Sequence, residues 1–138
     1  LSWAEFDSLR ERKETTPFSG TCVTFSSDFN ALWFSKTIIP AIRDEEKLRR
    51  EQALSPVWQH IGIYGYKVDV LKDFVELKPS YYEEMEGLEQ LRLLENGYNI
   101  QIVPVDVDTG LLNSGIDSPE DLKQAETLLK NLPGPSQI

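Results

Sequence analysis

Three groups of residues in this 138-residue chain carry side chains suited to chemistry on a small polar molecule. The first is His60-Ile-Gly-Ile-Tyr-Gly-Tyr66, an apolar run that holds the only histidine. The second is Glu86-Gly-Leu-Glu-Gln-Leu-Arg92, which brings a carboxylate, an amide and a guanidinium close together on a helix. The third is Asp117, which follows Gly115 and directly precedes Ser118-Pro119, the pattern of a helix start. A strand followed by a polar-faced helix is a common way for α/β proteins to build a pocket.

Each group also has a plainer reading. A lone histidine in an apolar strand is often only a satisfied structural residue. Metal sites want partners at regular spacing, and a single histidine with one distant cysteine supplies none. His60 is therefore read as a pocket-lining or structural group and not as a base. Glu83, Glu84 and Glu86 read as a solvated acidic face, because the first turn of a helix favours negative charge. Glu89 and Gln90 stay open between pocket lining and surface, since Gln90 and Arg92 flank the apolar stripe residue Leu91. Asp117 can support a helix N-terminus or hold magnesium, which takes one or two carboxylates and leaves the rest to water and phosphate.

The elements that must position these groups follow from pattern. Ser2-Trp-Ala-Glu5 has capping-box spacing and starts a helix carrying Trp3, Phe6 and Leu9 on one face. Residues 21–25 and 31–35 are β-prone runs around a polar turn, a hairpin whose Trp33 and Phe34 point to opposite faces. The charged stretch 40–56 reads as a short exposed helix in preference to a mobile lid. Residues 57–66 read as a buried strand, 68–77 as a helix with Val70, Leu71, Phe74 and Val75 on one face. Residues 81–96 form the clearest helix, stopped by Gly97. Residues 99–105 alternate as a strand. The last helix opens at Ser118, turns Leu122, Ala125, Leu128 and Leu129 inward, and gives way to a flexible tail over 133–138. The order predicts an α/β fold, a mixed sheet of roughly four or five strands with flanking helices, in a single domain over 1–138.

Composition narrows the function. A net charge of −9 argues against a surface that tracks nucleic-acid phosphates. Long apolar runs and a secretory leader are absent, so no membrane span is expected and a cytoplasmic location is. Cys22, the only cysteine, leaves no internal disulfide.

Four segments in order resemble one family. They are Ala31-Leu-Trp-Phe-Ser-Lys36 with Ile39-Pro40, the 60–66 run, Leu88-Glu-Gln-Leu-Arg92 with Glu95-Asn-Gly97, and Gly115-Ile-Asp-Ser-Pro-Glu-Asp-Leu122. They are similar to the C-terminal half of the 3-deoxy-manno-octulosonate cytidylyltransferases, over about residues 20–130. The resemblance implies the corresponding part of a nucleotide-diphospho-sugar transferase-like, Rossmann-like fold. It also implies an enzyme that uses CTP and Mg²⁺ to make CMP-Kdo for lipopolysaccharide, releasing pyrophosphate. Carried over by motif position, Lys36, His60, Tyr64, Glu89 and Gln90 bind the sugar acid. Asp117 becomes a catalytic, metal-holding carboxylate, with a second carboxylate outside this chain.

A homodimer is implied as well. The family's basic triphosphate loop and Gln-Gly-Asp segment do not occur here, so the chain is expected to be a truncated or separately encoded half, inactive alone. Lys36 replaces an arginine usual in the family, and Cys22 stands where a lysine is common. The alternatives are a non-catalytic interaction module and a fragment acting on another 2-keto-3-deoxy sugar acid.

Overall fold

Ser2 caps the first helix, α1 (Trp3–Thr15), by the expected reciprocal contact: its backbone N–H donates to Glu5 at 2.7 Å, and Glu5 N–H donates to the Ser2 hydroxyl at 3.3 Å. The computed structural model describes residues 1–105 together with 122, 123, 126, 127 and 130. The chain forms two compact units, Leu1–Pro104 and Val105–Ile138. In the second, residues 122, 123, 126, 127 and 130 are helical. Leu122, expected to face inward, is exposed. Its expected companions Ala125, Leu128 and Leu129, the tail at 133–138 and Asp117 lie outside the described residues.

In the first unit the hairpin is as expected: β1 (Cys22–Phe25) pairs antiparallel with β2 (Ala31–Ser35), Val23 opposite Phe34. β3 (Trp58–Gln59) adds to the other side of β1, also antiparallel, giving the order β2-β1-β3. Adjacent residues of β1 feed different cores, as strand alternation requires. Cys22 packs with Phe6 and Leu9 of α1 and with Val57. Val23 and Phe34 pack with Leu88 and Leu91. The sheet is thus covered on both faces by helical segments, the α/β arrangement expected, with three described strands instead of four or five.

One expected strand is cut short and another does not form, each for want of a continuing partner. The 57–66 run leaves the sheet after His60, whose N–H donates to Thr21 O at 2.8 Å. Its partner then ends, because Gly20 turns away at φ +66°. Residues 61–63 form a tight turn, Ile63 N–H to Ile61 O at 2.8 Å. The 99–105 run packs Ile100 and Ile102 against the Phe34 cluster but pairs only at the hairpin tip, through an isolated bridge of Gln101 to Asn30. Pro104 then lacks the donor a ladder needs.

The long helix expected over 81–96 is two: α4 (Tyr81–Glu86) and α5 (Gln90–Glu95). Gly87 separates them in the left-handed conformation (φ 65°, ψ 38°), which costs glycine no steric penalty. The break divides the apolar stripe: Leu88 and Leu91 are buried while Tyr81 and Met85 face solvent. Gly97 ends α5 at φ 81°, as expected.

Helix α2 (Glu45–Glu51) is the exposed charged helix, and it docks on α1. Arg49 bonds both Asp7 and Glu45 and lies over the Trp3 ring at 4.5 Å. In α3 (Val68–Glu76) the expected apolar face is only partly covered: Phe74 is half-buried, Leu71 and Val75 exposed.

Arg92 ties α3, α4 and α5 together. Its guanidinium meets the Glu83 carboxylate at 2.8 and 2.5 Å, reaches Leu77 O at 3.3 Å and covers the Phe74 ring at 4.6 Å. Both side chains are largely sheltered, 17% and 12% exposed, so Glu83 is a structural partner and not part of a solvated face. Glu83→Ala is expected to destabilise the chain by about 2 kcal/mol, less than the loss of a fully buried pair because some solvent reaches both ends. Urea unfolding of the variant checks this.

Candidate functional site

Lys36, at the end of β2, and the 60–66 turn come together beside α5. His60 lies against the sheet, its ring edge-on to Phe34 at 5.3 Å between centroids. The turn at 61–63 brings Tyr64 back, so that its hydroxyl meets His60 Nε2 at 2.7 Å. A straight strand would have placed these residues, four apart, on one face but well separated. The turn that cancels the expected strand is what assembles the pair. A row of rings continues through Tyr66 and Phe74 to the Arg92 guanidinium, with centroids 6.2 and 6.0 Å apart.

The electrostatics of the pair are fixed by burial and two neighbouring charges. Burial pushes the His60 pKa below its ordinary 6.5, and the Lys36 cation pushes it further down. The imidazole is therefore neutral at pH 7. Burial drives the Tyr64 phenol well above the usual tyrosine range, assisted by Tyr66 and by the Glu89 carboxylate, so it stays protonated. A neutral imidazole and a neutral phenol give a hydrogen-bonding surface and not a proton carrier poised near neutrality.

Gln90 is the sharpest feature. The residue is 3% exposed, at the start of α5, and its Nε2 has no hydrogen-bond partner among the described residues. An amide buried without a partner is costly, and natural proteins keep such groups mostly where something else uses them. Glu89, beside it, is exposed. Lys36 is half-buried, and its ammonium makes no ion pair among the described residues. The structure thus links Lys36, His60, Tyr64 and Glu89 through their charges and contacts, and sets Gln90 in the adjoining core.

Residue patterns missed Glu86. It is half-buried and its carboxylate is engaged: it accepts from Ser35 Oγ at 2.8 Å and from the Lys36 backbone N–H at 2.7 Å. Contacts fifty residues apart leave no local signature. Cys22 is fully buried in the α1 core, with the Lys13 ammonium within electrostatic reach. Among the described residues no three His, Cys, Asp or Glu side chains gather as metal ligands. The magnesium expectation thus rests on Asp117, outside them. No helix among them is long and apolar enough to cross a membrane. A separate hollow of about 310 Å³ is lined by Trp33, Tyr82, Leu94 and Tyr98, away from these residues.

An α/β core carrying this cluster of polar side chains agrees with comparison to known proteins. Residues 4–102 match the family model described as cytidylyltransferase, and the chain belongs to that family. Curated relatives it resembles include 3-deoxy-manno-octulosonate cytidylyltransferases. That of Bacteroides thetaiotaomicron is 46% identical over 111 residues, covering 79% of this chain and 42% of the relative. That of Phocaeicola vulgatus is 44% identical, covering 81% and 42%, and that of Maricaulis maris 39% identical, covering 88% and 44%. Among solved structures, a CMP:2-keto-3-deoxy-manno-octonic acid synthetase complexed with CTP superposes with a TM-score of 0.66 at 27% identity, over 92% of this chain and 56% of that one. The chain spans less than half the length of the curated relatives it matches.

Proposed function

We propose that this chain is the sugar-acid-binding, C-terminal half of an enzyme that joins CTP to 3-deoxy-manno-octulosonate (Kdo), yielding CMP-Kdo and pyrophosphate in the cytoplasm. The observation that carries the reading is Gln90: an amide donor held in the core with no partner among the described residues, next to Glu89 and within the same family motif. A polyhydroxylated acid needs several fixed donors and acceptors and one cation, and Lys36, His60, Tyr64, Glu89 and Gln90 supply those group types. Lys36 meets the sugar carboxylate as a point charge. Tyr64 and neutral His60 address hydroxyls, His60 with its remaining ring nitrogen. Glu89 accepts from a hydroxyl, and Gln90 turns its Nε2 to the ligand.

The reacting groups are assigned elsewhere. The anomeric hydroxyl of Kdo would attack the α-phosphate of CTP, the α–β phosphoanhydride bond breaking and pyrophosphate leaving. Asp117 with a second carboxylate would hold magnesium, which would supply neutralisation of the phosphate charge. The described residues bind and orient the sugar acid, and a second copy of the chain is expected to complete a dimer.

Kdo added to the isolated chain is expected to show specific binding by ligand-observed NMR. With CTP and Mg²⁺ also present, no pyrophosphate is expected at an enzymatic rate, and a nucleotide-binding half supplied in trans should restore synthesis. Turnover by the chain alone would overturn the half-enzyme reading. Absence of Kdo binding would overturn the assignment of the pocket.

A further inference from the structure

We infer that Glu86 and Lys13 are positioning residues that clamp the backbone of Lys36 from both sides and so aim its ammonium into the pocket. The inference rests on the sugar-acid reading for its function, and on geometry for its existence. The Lys36 N–H donates to Glu86 Oε2 at 2.7 Å, and the Lys36 carbonyl accepts from Lys13 Nζ at 2.6 Å. Glu86 belongs to α4 and Lys13 to α1, on opposite sides in sequence of the residue they hold. The clamp extends one residue back: buried Ser35 donates its hydroxyl to Glu86 Oε1 at 2.8 Å. Lys13 also binds the carbonyls of Ser19 and Gly20, at 2.6 and 3.1 Å.

Two full charges are thus spent on uncharged groups, main-chain amides and carbonyls and one hydroxyl. Neither Glu86 nor Lys13 forms a side-chain ion pair among the described residues. Burial depresses the Lys13 pKa, so its charge is held there against a desolvation cost. Charge-assisted bonds are about twice as strong as neutral ones, so the peptide groups on both sides of the Lys36 Cα are held firmly. The residue held is the one that needs it. A lysine is a point charge on a flexible stem, without the planar fork that lets arginine orient itself on a carboxylate. Fixing its backbone restores part of that lost definition.

His60, the only histidine, reports the position of Lys36 without any ligand. The charged or titratable groups acting on it are Lys36 and the Tyr64 hydroxyl. The experiment follows the His60 ring signal by NMR titration and Kdo affinity by calorimetry, in the full chain and in Lys36→Ala, Glu86→Ala and Glu86→Gln. Lys36→Ala is expected to raise the His60 pKa and weaken Kdo binding about tenfold.

Glu86→Ala should also raise the His60 pKa and weaken binding about three- to tenfold. The sign is diagnostic, because deleting a nearby carboxylate acting only as a charge would lower that pKa. Glu86→Gln keeps an acceptor and is expected to fall between wild type and Glu86→Ala. It carries the same readout should Glu86→Ala not fold. An unmoved or lowered His60 pKa in a folded Glu86 variant, with Lys36→Ala raising it, would overturn the clamp. A raised pKa in a chain that never binds Kdo would keep the clamp and sink the sugar-acid reading.

Discussion

Phe34→Ala is expected to cost the chain about 3–5 kcal/mol, a large share of the roughly 5–15 kcal/mol that holds a typical domain together. Phe34 has no exposed surface and lies in β2 opposite Val23. It packs in one cluster with Val23, Leu88 and Leu91. Its removal opens a ring-sized cavity where β1, β2 and α5 meet, and none of these can collapse into it without breaking the hairpin register. The same ring supports His60 edge-on at 5.3 Å. The stability loss and the pocket loss are therefore coupled, and denaturant midpoints should fall together with any affinity for Kdo. Leu32, two residues earlier and 60% exposed, is the control: Leu32→Ala is expected to change stability by no more than about 0.5 kcal/mol. Comparable losses at both positions would mean that the core is not centred on Phe34.

Why Phe34 and not Trp33 carries this weight was half legible in the residue order. Alternation put the two rings on opposite faces, and the structure buries Phe34 while Trp33 stays half-buried, edge-on to Tyr82 at 5.2 Å. Local signals such as this one were reliable. The Ser2–Glu5 capping box, the hairpin, α3 and the stop at Gly97 each depend on residues within a few positions, and each is present.

What failed was non-local. An apolar run over 57–66 reads as a strand whatever lies beside it, but a strand needs a partner, and its partner ends at Gly20. Gly87 reads as one weak residue inside a long apolar stripe, and only the burial of Leu88 and Leu91 favours a break there. The pocket shows the same division. The residue types at 60, 64, 89 and 90 could be named in advance, while the His60–Tyr64 bond depends on the unforeseen turn. Glu86 lay in plain view as a surface acid because its partners, Ser35 and Lys36, are fifty residues away.

Gln90→Met should have opposite effects on stability and on binding. The native glutamine sits 3% exposed with its Nε2 unpartnered among the described residues, a loss of solvation that none of their hydrogen bonds offsets. Methionine is close in length and shape, and removes the polar atoms while filling the same space. Relief of the unpaired donor is expected to stabilise the ligand-free chain by about 1–2 kcal/mol, raising the melting temperature by about 3–6 °C. Kdo affinity should fall at least about tenfold, since the ligand then faces a thioether where an amide donated.

A purely structural glutamine predicts something different. If Nε2 were satisfied within the folded chain, methionine would leave that partner stranded, and stability would fall. Thermal melts of the two chains without ligand therefore decide whether the amide is kept for the fold or for the ligand. A destabilised Gln90→Met with unchanged Kdo affinity would remove Gln90 from the site. The expected pair of results, a firmer chain that no longer holds the sugar acid, is the signature of a residue retained at a cost to stability because binding needs it.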